Sequence, residues 1–168
     1  MQAGDILLFK AESNIFSKLI AWGTNSTYSH VAVCVSADMN LAIEAMTRGG
    51  VRARDIRQIK SAYDVYRVKE EYSYNLDKTI SYLVSKLNNK YDFLGVTFLG
   101  LLKLLNKIKL PTKNIANKWQ IDRDYFCSEL CYEAFNFGGG LDIVPGIPEA
   151  DITSPGDISK SSVVAIVA

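Results

Sequence analysis

The apolar positions of this chain change period several times, and each change predicts an element. Ile6-Leu7-Leu8-Phe9 is a continuous apolar run behind the turn signal Gly4-Asp5, which reads as a short buried strand. Residues 12–23 place Ile15, Phe16, Leu19, Ile20 and Trp22 on one side of a short helix, which Gly23-Thr24-Asn25-Ser26 ends. Residues 29–35 are rich in β-branched side chains, residues 36–40 read as a turn and residues 41–45 as a second strand, so the three form a hairpin. Alternation puts Val31, Val33 and Val35 on one face and His30, Ala32 and Cys34 on the other. A turn centred on Ala37 or Asp38 pairs even-numbered residues with even-numbered ones. Glu44 then shares the face of His30, directly opposite it or one diagonal step away, with the small Ala42 and Ala45 leaving room.

Gly49-Gly50 turns the chain into a basic segment, residues 51–60. Its alternation of Val51, Ala53 and Asp55 against Arg52 and Arg54 predicts an exposed strand or loop. Residues 64–68 are a further strand, and from Leu76 to Leu87 the pattern Ile80, Leu83, Val84 and Leu87 has helical period, which Asn88-Asn89 ends. Residues 93–105 form the longest greasy segment, which continues to a stop at Pro111. Gly95 and Gly100 favour a packed core or lid helix over an amphipathic helix touching lipid. A polar connector follows over 112–123, then a helix beginning near Cys127 and running to Phe137. The break Gly138-Gly139-Gly140, a loop with Pro145, Pro148 and Pro155, and a last strand over 163–167 complete the chain.

Composition narrows the class. At 168 residues the chain suits one domain, residues 1–168, with a hydrophobic core of its own. Nineteen basic residues against eighteen acidic ones supply no electrostatic case for nucleic acid. No transmembrane segment is expected, because the apolar run at 93–102 is too short to span a bilayer. No secretory signal is visible at the start, so a cytoplasmic location is the default, with export by lysis or a dedicated secretion system left open. Three cysteines, at 34, 127 and 131, are too few and too odd for a disulfide framework. With His30 they could nominally make a Cys3His zinc site, but Cys127 and Cys131 are four apart and Cys34 lies within a strand, so no metal is expected.

The run Asp124-Tyr125-Phe126-Cys127-Ser128-Glu129-Leu130 carries the chemistry. A thiol in the first turn of a helix meets unpaired backbone N–H groups and the positive end of the helix dipole, and both favour the thiolate. Such a nucleophile needs a base, and the chain has one histidine, His30. Glu129 suits the helix start as a dipole-favoured carboxylate, and Ser29 and Ser128 suit local backbone hydrogen bonds. Cys34 and Cys131 read as core.

Gly4-Asp5-Ile6-Leu7, Ser29-His30-Val31-Ala32, Glu44, Tyr91-Asp92-Phe93, Phe126-Cys127-Ser128-Glu129-Leu130 and Ser154-Pro155-Gly156-Asp157 occur in that order. Together they resemble the circularly permuted papain-like amidases of the NlpC-like superfamily, the YaeF/YiiX kind with poxvirus relatives, over residues 4–161. Unpermuted papain-like enzymes have the cysteine helix before the histidine strand; here the histidine comes first. The resemblance implies an α+β fold in which a small, mostly antiparallel sheet packs against helices, one of them beginning at the nucleophile. It implies Cys127 as nucleophile, His30 as base, Glu44 as third member of the triad and Tyr91 as an oxyanion or substrate contact. No cofactor is implied. The expected activity is thiol-dependent hydrolysis of a small peptide-like amide, such as a cell-wall peptide or an amino-acid conjugate, through an acyl-enzyme.

Two other readings compete. A lipid acyltransferase or thioesterase could use the same triad, with residues 93–105 as a hydrophobic or lipid contact. The Asn-Cys-Glu-His-Phe type run of the lecithin:retinol acyltransferase branch is absent, however: the chain has Tyr125-Phe126-Cys127-Ser128-Glu129 there. A non-catalytic binding module would have no physical reason to keep Cys127, His30 and Glu44 together.

Overall fold

The computed structural model describes residues 1–11, 25–46, 49–89, 127–147 and 153–167. The expected helix over 12–23, the greasy segment 93–105, the connector 112–123 and Tyr91 lie outside the described residues. Among these residues one sheet of six strands organises the chain: β1 (Ile6–Lys10), β2 (Tyr28–Ser36), β3 (Leu41–Met46), β4 (Gly50–Asp55), β5 (Tyr63–Val68) and β6 (Val164–Ile166). Their spatial order is β4-β3-β2-β1-β5-β6, and every neighbouring pair is antiparallel.

β1 lies at the centre, which explains its unbroken apolar run. Ile6, Leu7 and Leu8 are all fully buried, so both faces of the strand are covered. Ile6, Leu8, Val31, Val33, Ile43, Ala45 and Val51 face one cluster, together with Leu130, Cys131, Ala134 and Phe135. Leu7, Phe9, Ala32, Cys34 and Ala42 face the other, closed by Ile56 with Ile59 and Tyr63. The alternation of the β2–β3 hairpin is therefore the division between two cores.

Three helices are described: α1 (Leu76–Ser85), α2 (Cys127–Glu133) and α3 (Pro155–Ser159). Asn75 caps α1 by accepting the Lys78 N–H, and Thr79 and Leu83 are its buried residues. α2 begins at Cys127 and opens after Glu133 into a wider π turn over Ala134–Gly138. α3 corrects the sequence expectation of a loop at Pro155. Ser154 and Asp157 form a reciprocal capping box, and Pro155 stands in the first turn, where its missing N–H costs nothing. β4 takes the strand alternative of the 51–60 reading, with Ala53 exposed and both arginines engaged by Glu44.

Candidate active site

The site begins with the register of β2 and β3. Ala32 pairs with Glu44, which places Glu44 one diagonal step from His30 on the same face. The two side chains meet: His30 Nε2 and Glu44 Oε2 are 2.9 Å apart. Glu44 has no exposed side-chain surface, and the His30 side chain is 19 % exposed. Phe9, paired with His30 across β1 and β2, sets its ring 5.1 Å from the imidazole and walls that side.

Glu44 also faces β4, where Arg52 stands directly opposite. Arg52 donates from Nε at 3.0 Å and from Nη2 at 2.8 Å, and Arg54 from Nη1 at 3.3 Å, all to Glu44 Oε1. Burial alone would push the Glu44 carboxyl up. The His30 hydrogen bond and charge, then Arg52 and Arg54, outweigh it and hold the group down at about 2 from an ordinary 4.5.

Cys127 comes from α2, on the opposite side of the sheet from His30, and reaches the imidazole where the β2–β3 ladder ends. Cys34 N–H donates to Asp5 on the β1 side, so alternation turns the Val31 N–H, three residues back, toward β3. That position lies beyond the last ladder pair, Ala32 with Glu44. The Val31 N–H instead favours the thiolate of Cys127. Cys127 and the His30 ring are close enough for each to shift the other's titration. With Nε2 held by Glu44, Nδ1 is the nitrogen left for the thiol.

Burial pushes the Cys127 thiol up, but the charge and hydrogen bond of His30, followed by the N–H groups of Val31 and Ser128, bring it below its ordinary value. Burial likewise pushes His30 down, and the neighbouring Cys127 thiolate and then Glu44 more than reverse this, raising it to about 9 from 6.5. The two shifts share one cause, each group favouring the charged form of the other. The other cysteines are different: burial pushes both thiols up, helped at Cys131 by the Cys127 charge and at Cys34 by Asp5.

Sequence reasoning missed two contributors, the Val31 N–H and the arginine pair. The first left no side-chain signal. The second lies in the strand after the turn, but a hairpin centred on Gly49-Gly50 would set Asp55 against Glu44; the observed ladder, with Met46 opposite Gly50, sets Arg52 there. Ser128 also differs from expectation: its hydroxyl donates to the Thr153 carbonyl at 2.7 Å, tying α2 to the segment that leads into α3 rather than to its own turn.

The model of a protein family described as permuted papain-like amidase enzymes, YaeF/YiiX, C92 family, matches residues 1–96. The chain belongs to this family. The matched part holds the His30 and Glu44 strands and ends before Cys127. The fold extends the likeness: the crystal structure of metalloprotein yiiX from Escherichia coli O157:H7 superposes with a TM-score of 0.66 at 20 % identity, covering 99 % of this chain and 96 % of that one. No curated protein matches the sequence. The permuted papain-like fold therefore holds for this chain, with a mixed α+β architecture and an antiparallel sheet. Among the described residues no three His, Cys, Asp or Glu side chains converge on a point that could hold a metal. Glu44 and His30 do not suit a cation, since Glu44 already faces two guanidinium groups and the His30 ring. No helix among the described residues is long and apolar enough to cross a membrane.

Proposed function

We propose that this member of the permuted papain-like amidases hydrolyses a peptide-like amide through a Cys127–His30–Glu44 triad. The observation that carries the reading is selective. Of three free cysteines, the one at the start of α2 is within reach of the chain's single histidine, and that histidine is bonded to a buried carboxylate.

The Cys127 thiolate attacks the carbonyl carbon, and the imidazolium of His30 gives its proton to the departing amine as the C–N bond breaks. A thioester on Cys127 results. The neutral imidazole then takes a proton from water, the hydroxide displaces the sulfur, and the carboxylic acid leaves with the thiolate restored. Glu44 holds the ring by Nε2 and favours its cationic form at both stages. The Cys127 backbone N–H at the start of α2 suits stabilisation of the oxyanion.

Alkylation by iodoacetamide at pH 6 tests the pair without a known substrate. An ordinary thiol with a pKa near ~8.5 is under ~1 % ionised there. Cys127 is expected to alkylate selectively, at least about 30-fold faster than in the His30→Ala variant. Uniform slow labelling of all three cysteines would end the hydrolase reading. A hydroxylamine-sensitive acyl group trapped on Cys127 from an activated ester would identify the covalent step.

A further inference from the structure

Among the described residues two buried carboxylates are gripped by arginine, and they are gripped differently. Arg67 holds Asp5 by both oxygens, Nε to Oδ1 at 2.6 Å and Nη2 to Oδ2 at 2.8 Å. This is the two-oxygen fork that arginine and carboxylate commonly adopt, and the Gln2 N–H adds a donor to Oδ2 without breaking it. Arg52 brings the same two donors to Glu44, yet both converge on Oε1, and Arg54 adds a third donor to that oxygen. Oε2 is left to the imidazole.

A carboxylate can turn about its last carbon–carbon bond and exchange its oxygens, and one without exposed surface has no water to hold it. Something must keep one oxygen aimed at the ring. We propose that Arg52 is a positioning residue: by occupying Oε1 alone, from the position directly opposite on β4, it fixes the Glu44 carboxylate with Oε2 committed to His30 Nε2. The register makes this grip specific, because Arg52 pairs with Glu44 while Arg54 pairs with Ala42 and reaches back with one longer contact. Arg52 touches neither the thiol nor the ring in this role; it acts through Glu44. The proposal rests on the triad reading above, since orienting the ring matters to the reaction only if His30 serves Cys127.

The single histidine makes the test direct, because every imidazole NMR signal belongs to His30. In the full-length protein the Nε2 proton is expected far downfield and slow to exchange with water. Arg52→Met, which keeps length and loses the donors, is expected to speed that exchange about tenfold or more. Arg52→Lys, with one ammonium able to reach Oε1, is expected to restore most of the protection, and Arg54→Met to have the smaller effect. Thermal unfolding run in parallel separates a mere loss of stability, which would leave the Nε2 signal of the folded protein in place. An unchanged signal in folded Arg52→Met overturns the proposal while the triad reading stands. An ordinary thiol titration of Cys127 in the wild type overturns both. Should Arg52→Met not fold, Arg52→Lys decides by itself: a single donor on Oε1 is expected to leave measurably faster exchange than wild type, and an exchange rate equal to wild type counts against a two-donor grip.

Discussion

Glu44 carries an acid liability that follows from its position. Its carboxyl is depressed from 4.5 to about 2 in the folded chain. A group depressed on folding contributes stability that is complete above its unfolded value and is lost as pH falls through the folded one. For Glu44 that window runs from about 4.5 down to about 2. Going from pH 7 to pH 3 therefore removes about 2 kcal/mol through this residue alone. Urea unfolding at the two pH values is expected to show that extra loss in the wild type and not in Glu44→Gln, other carboxylates contributing equally to both. Equal losses would mean the carboxylate is not held as described. His30 and Glu44 were legible as neighbours because strand alternation has a period of two, so one plausible turn fixes a shared face. Roles that depend on backbone donors, such as the Val31 N–H on Cys127, have no sequence signature.

At the scale of elements, α2 is held in place from behind by glycine contacts. After the π turn the chain passes close to α1, and a Cβ on Gly139 would lie 2.4 Å from Thr79 Oγ1 and 2.8 Å from the Phe135 carbonyl. Gly140 has open space around it but a φ of +76°. The two positions thus exclude side chains for different reasons, one by crowding and one by backbone conformation. Gly139→Ala is expected to cost about 2–3 kcal/mol and Gly140→Ala about 1 kcal/mol, measured by urea unfolding; the reverse order would contradict the close approach of α1. The triple glycine was legible as a break but not as a packing contact, because closeness between distant segments is not written in local pattern. α3 could have been read: Ser154, Pro155 and Asp157 carry a helix start, and the nearby prolines obscured it. The edges of β1, β3 and α1 agreed with hydrophobic period to within a residue or two.

Across the whole molecule, the order of strands was the part hydrophobic period could not supply. β1 sits between β2 and β5, so the first strand of the chain joins the hairpin that bears His30 and Glu44 to the pair that ends with β6. The Asp5–Arg67 fork bridges that junction, from the residue preceding β1 to the last residue but one of β5. Asp5 has no exposed side-chain surface and also accepts the Gln2 N–H at 2.7 Å, so its charge is fully enclosed. Removing the guanidinium strands that charge, and an unpaired buried carboxylate costs about 3–5 kcal/mol where the intact pair itself contributes far less. Arg67→Met is therefore expected to destabilise the fold by at least about 3 kcal/mol. The double variant Asp5→Asn, Arg67→Met, with no charge left to bury, is expected to regain a good part of that loss. The fork lies at the Ile6–Val33 end of the β1–β2 ladder, whereas His30 pairs with Phe9 near the other end. The remaining folded protein should accordingly keep wild-type alkylation of Cys127 at pH 6. A destabilisation below about 0.5 kcal/mol, the size of an ordinary surface change, would show that this pair does not brace the centre of the sheet.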